Sequence, residues 1–159
     1  MYNRFFEIET NPYLNVVYIL AFLKDREGRI SIKELVLGVY LIKNPNICMK
    51  LLAGREKSAF KKGIPTYQLY SIQSEMSRYT ETIFTEDVYN ALELLACRGL
   101  IYYEAEGIVK DTDKFKFINF KTFTKEVMHK VKYVNIILTS GSSEDIEDKI
   151  DSVWREHNE

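Results

Sequence analysis

Residues 91–109 read ALELLACRGLIYYEAEGIV, and the succession of residue types in this stretch decides the fold. Ala91, Leu92 and Leu95, with Val88 one turn earlier, recur at helical spacing and form a buried side. Arg98 falls in the last turn, where the helix dipole favours a cation, and Gly99 is the stop. Leu100-Ile101-Tyr102-Tyr103 follows at once as a strand. Upstream, Thr85 reads as the helix N-cap, with Glu86 and Asp87 in the first turn. Downstream, Gly107 and Asp111-Thr112-Asp113 carry turn chemistry, and Lys114 to Phe120 alternates lysine with apolar residues as the returning strand. A weaker helical pattern precedes all this from Tyr67 to Tyr79. Helix, turn, capped helix and two strands is the order of a winged helix, here expected over residues 64–120; the alternative is an unrelated helical domain bearing a hairpin.

Toward the N-terminus, Asn11-Pro12 opens a helix running to about Lys24. Its apolar residues, Leu14, Val16, Val17, Ile19, Leu20, Phe22 and Leu23, surround nearly the whole circumference, which suits the middle of a core or an interface. Ser31 and Glu34 have the spacing of a capping box that starts a second helix, and Asn44-Pro45 ends it and begins a short third. From Gly54 to Gly63 the chain turns basic and loses periodicity, so a mobile loop and an internal boundary are expected there. Toward the C-terminus, Phe123, Val127, Val131, Val134 and Leu138 mark one long helix stopped by Ser140-Gly141, with a strand left open for Val134 to Thr139. Ser142 or Ser143 caps a last helix, Glu144 to about His157. The fold class is therefore mostly α with a small β-hairpin: a helical part at 1–63, a winged-helix-like part at 64–120 and C-terminal helices at 121–159, packed as one compact domain.

The 159 residues carry 22 Lys and Arg against 23 Asp and Glu, with 46% apolar residues, a composition that excludes disorder. A chain of this length buries roughly 70% of its unfolded surface and needs no metal or disulfide to hold a core. The net charge of -1 lacks the basic excess usual in nucleic-acid domains. Locally the charge is segregated: Lys24 to Lys62 is basic, whereas Glu75 to Glu106 and Ser142 to Glu159 are acidic. On the expected recognition helix, Glu86, Asp87 and Glu93 oppose Arg98, so a protein surface suits it better than a phosphate-lined groove. The longest mainly apolar run, Tyr13 to Leu23, is too short to cross a bilayer, and a cytoplasmic protein without membrane contact is expected. Cys48 and Cys97 each sit inside an apolar helical pattern and read as small buried hydrophobes in a reducing compartment, a disulfide between them being the minor alternative. His129, read as a surface helix residue, and His157 have no second ligand at metal spacing. No glycine loop cradles phosphate. No catalytic, metal or cofactor site is expected.

The opening FFEIETNPYLNVVYILAFL (residues 5–23), a capped helix ending in LIKNP (41–45) and the winged-helix-like half resemble the middle component of bacterial ABC-three-component systems. The resemblance rests on Phe5, Phe6, Asn11 and Pro12 before the apolar helix, and on Pro45 after Lys43, with Asn44 intervening. It implies a non-enzymatic adaptor that links an SMC-like ABC ATPase to an effector subunit in Lamassu-type defence against phage or plasmid DNA. The ATPase would then supply nucleotide hydrolysis, and DNA would be met only through the complex. From the residues themselves, the expected partner contacts are Leu14, Tyr18 and Phe22 on the first helix, with Tyr102 and Phe117 in the wing. The runner-up is a DNA-binding winged-helix regulator in which Lys61, Lys62, Lys114, Lys116 and Lys121 meet phosphates. A small hydrolase ranks third.

Overall fold

Gly99 takes a left-handed φ of 64° and accomplishes the turn from helix to strand. Its N–H donates to Ala96 and that of Leu100 to Leu95, the paired bonds of a Schellman end. They close helix α6 (Glu81–Cys97) and release β2 (Ile101–Glu104), which pairs antiparallel with β3 (Gly107–Lys110). The computed structural model describes residues 12–70 and 81–156.

Before α6 come α1 (Pro12–Leu23), β1 (Arg29–Ile30), α2 (Ile32–Lys43), α3 (Pro45–Leu51), α4 (Gly54–Lys62) and α5 (Thr66–Leu69). After β3 come α7 (Thr112–Phe115), a 3-10 turn (Phe120–Thr122), α8 (Lys125–Thr139) and α9 (Ser143–Glu156). β1 adds to β3, Arg29 opposite Val109 and Ile30 opposite Ile108, so the sheet order is β1-β3-β2. The chain is mostly helical with this one small antiparallel sheet among the described residues.

Capping chemistry sets most boundaries. Ser31 Oγ accepts from the Glu34 amide, but the Glu34 carboxylate goes to Arg26 Nη1 at 2.6 Å and does not close the expected box. Arg26 also donates from Nε to Asn135 and lies over the Phe22 ring, which ties α1, α2 and α8 together. Ser142 and Asp145 do form a reciprocal box at the start of α9. Helix α1 has no basic residue in its last turn. Lys110 of β3 supplies the cation instead, donating to the carbonyls of Leu23 and Lys24 at 2.8 and 2.7 Å.

A single cluster of buried side chains draws on α1, α2, α3, α4, α6, α8, α9 and the sheet. The parts 1–63 and 64–120 therefore share both a core and a sheet, and no boundary falls between them. Several expectations need correcting. The basic stretch 54–63 is not a loop but α4, because Phe60 is fully buried and anchors it against α8. The returning strand is Gly107–Lys110, not Lys114 to Phe120: Asp111 accepts from the Lys114 amide and starts α7, so the lysine-rich segment is helical and turning. Thr85 lies inside α6 (Glu81–Cys97) and does not cap it. Val134 to Thr139 completes α8 and forms no strand. Of the helix expected over Tyr67 to Tyr79, Thr66–Leu69 is helical and residues 71–79 lie outside the described ones, as do Phe5, Phe6 and Asn11. Cys97 is exposed, Cys48 is buried, and both are free. His129 is half-buried, with Nε2 3.0 Å from the Phe60 carbonyl and its ring stacked on Phe60, so it docks α4 rather than lying on the surface. No described helix is long and apolar enough to cross a membrane.

Candidate functional site

Helix α6 buries Val88, Ala91, Leu92 and Leu95 and turns Glu86, Tyr89, Asn90, Glu93, Leu94 and Cys97 outward, while Arg98, expected in its last turn, lies just past its end and is exposed. Tyr89, Glu93 and Cys97 follow one another at intervals of four residues and so form one row along the outer side. Tyr103 of β2 stands beside that row. Partial burial raises its hydroxyl pKa first, and the nearby Glu93, Cys97 and Tyr89 raise it further. Tyr89, Leu94 and Tyr103 remain 45%, 43% and 50% exposed, which is enough for all three to meet a partner. The hairpin tip Glu104-Ala105-Glu106 is also exposed and extends the acidity. Arg29 approaches Glu106 only to 4.0 Å, a solvent-screened contact of little weight. The face thus combines two tyrosines with carboxylates.

The five expected contact residues are not gathered into one place. Phe22 is fully buried and belongs to the core, which removes it from any surface. Leu14 and Tyr18 are half-buried on α1. Burial raises the Tyr18 hydroxyl, and the Glu126 charge adds to the effect. Tyr102 is exposed on the opposite side of β2 from Tyr103 and donates to Asp111 Oδ2 at 2.8 Å. The Lys114 amide and then Tyr102 hold the Asp111 carboxyl below its ordinary value. Phe117 stands on the segment after α7, 89% exposed. The lysines expected for DNA divide between the end of α4 (Lys61, Lys62) and the 114–121 segment.

Sequence reasoning missed the Tyr89–Glu93–Cys97 row, although its four-residue spacing was there to be read. It also missed a polar network between α5 and α8. The Lys130 ammonium is buried, 3.0 Å from Glu126 Oε1 and 2.6 Å from Gln68 Oε1, while Gln68 Nε2 donates to Glu126 at 2.7 Å. Burial raises the Glu126 carboxyl, but the bonds from Lys130 and Gln68 and the Lys130 charge prevail and leave it lowered. Cys48 lies close enough to feel the Lys130 charge, yet burial pushes its thiol up to about 12, so it is no nucleophile at neutral pH. With its carboxylate and amide partners, Lys130 is a structural cation. Among the described residues no group of three His, Cys, Asp or Glu is placed to hold a metal. Along α4, Gly54, Arg55, Ser58, Ala59 and Lys62 line a depression of about 620 Å³ that lies open to solvent and encloses nothing. Compared with protein-family models, curated proteins and solved structures, the chain has no match.

Proposed function

We propose that the chain is a non-enzymatic adaptor subunit that links an SMC-like ABC ATPase to an effector subunit in defence against phage or plasmid DNA, and that it does so through a winged helix used to hold protein. The element order supports the winged helix: α1, β1, α2, later α6, then β2 and β3, with sheet order β1-β3-β2. In this reading the unit is built from α1 onward rather than from residue 64, and α3 to α5 lie between its second and third helices. Helix α6 takes the place of the recognition helix and the β2–β3 hairpin that of the wing.

The observation that carries the reading is the charge and chemistry of that surface. In this reading the exposed Glu86, Glu93, Glu104 and Glu106 would repel the phosphates of a duplex, and Tyr89, Leu94 and Tyr103 offer the apolar and aromatic area that anchors protein interfaces. The half-exposed Leu14 and Tyr18 side of α1 serves as a second, smaller contact.

The test is to identify the genes beside this one and co-express the chain with any SMC-like ATPase and effector found there. A stable complex is expected, and Tyr103→Ala combined with Glu93→Lys should weaken it at least tenfold, since truncated anchors at interfaces cost about 2 kcal/mol or more. A chain that purifies alone beside such an ATPase overturns the proposal. For the DNA-binding alternative, tight and steeply salt-dependent binding of the isolated chain to duplex DNA is required.

A further inference from the structure

Residues 114–125, KFKFINFKTFTK, hold four lysines and four phenylalanines and no acid. Three of the phenyl rings are packed. Phe115 is buried, Phe120 lies 6.4 Å from it, and Phe123 lies 5.1 Å from Phe120. Phe117 is not packed: at 89% it is the most exposed large apolar side chain among the described residues. It is nonetheless held by an ordered backbone, its own N–H donating to Lys114 and that of Ile118 to Phe115.

The segment that carries it is basic. Lys24 reaches over the Phe120 ring at 5.5 Å, Lys121 and Lys125 have no ion-pair partner among the described residues, and Lys114 lies against Gly99 with its charge acting on Asp111. Lys116 pairs with Asp113 at 2.9 Å, but both are exposed, and so weak a pair yields readily to a phosphate. An exposed phenyl ring on a segment that also carries four lysines has the two components of single-strand recognition: a face on which a base stacks and charges that track a backbone.

From this we infer that the 114–125 segment is a binding site for single-stranded nucleic acid, with Phe117 as the stacking platform and Lys116 and Lys121 on the flanking phosphates. The inference is independent of the docking role given to α6. A duplex fits less well, because its bases are already stacked and only the lysines would engage. An anionic membrane also fits less well, because interfacial binding needs a broad apolar side, and here one ring alone is free.

Fluorescence anisotropy of the full chain with labelled oligothymidine of about 20 nucleotides tests this, since single-strand sites span roughly 4–16 nucleotides. Binding tighter than to the matching duplex is expected, falling steeply between about 50 and 200 mM salt. Phe117→Ala should weaken it about tenfold with little change in salt slope, whereas Phe117→Trp should keep it. Lys116→Gln with Lys121→Gln should reduce the slope by about 1.4. Because Phe117 is exposed, its variants should melt at the wild-type temperature, which separates lost binding from lost folding. No binding at low salt, a duplex preference, an unaffected Phe117→Ala, or capture only by phosphatidylserine vesicles overturns the inference.

Discussion

Asn15 is fully buried on α1, and among the described residues neither its amide nitrogen nor its oxygen has a hydrogen-bond partner. Such a group loses its water and receives nothing in return, a deficit of about 1–3 kcal/mol. Asn15→Leu, which keeps the branching at Cγ, should therefore raise the urea midpoint by an amount equivalent to about 1–2 kcal/mol. A lower midpoint would show that the amide has a partner within the fold. The Lys130 network makes a prediction of the opposite kind. In the folded chain Glu126 is held below its ordinary 4.5. The unfolded chain thus takes up that proton first as pH falls, and stability present at neutral pH is lost below about 4.5. Denaturant titrations between pH 7 and 3 should show this acid limb, and Glu126→Gln should flatten it. The spacing of Glu126 and Lys130 by four residues is plain in the sequence, but Gln68, brought in by α5, could not be read from any local pattern.

Helices α1 and α2 approach until no side chain fits between them at Gly38, where an added methyl would lie 2.5 Å from the Phe22 ring. Alanine is favoured over glycine by about 1 kcal/mol inside an exposed helix. Here Gly38→Ala should instead destabilise by about 1–3 kcal/mol, and Phe22→Leu in the same chain should recover part of that loss in thermal melts. The contrast explains what the sequence could and could not disclose. α1, α2, α3, α8 and α9 were legible because periodic apolar residues and caps such as Ser31 and Ser142 act within one turn of chain. α4 was not, because one residue, Phe60, supplies its burial, and the ring that receives it belongs to Tyr133, far along the sequence. β1 was invisible for the same reason: two residues carry no periodicity, and only pairing with Val109 and Ile108 makes them a strand. The acidic character of α6 was legible, whereas its junction with Tyr103 depended on the turn at Gly99.

At the scale of the molecule, α1 packs closely on α6 and β1 completes the sheet, so the first and middle thirds are one structure. Chemical unfolding should follow a single transition by both far-ultraviolet circular dichroism and Trp154 fluorescence. A fragment of residues 64–120 should stay unfolded, because α6 would lack α1 and β3 would lack both β1 and the seat that Lys110 finds on α1. A folded fragment, read as dispersed amide resonances, would contradict this. The same interleaving bears on biosynthesis. The apolar α1 leaves the ribosome about sixty residues ahead of the helix that covers it, which at 5–20 residues per second is a wait of roughly 3–12 s. For that interval α1 has α2 to pack on, and the greasy strip that α6 will cover stays wet until that helix emerges.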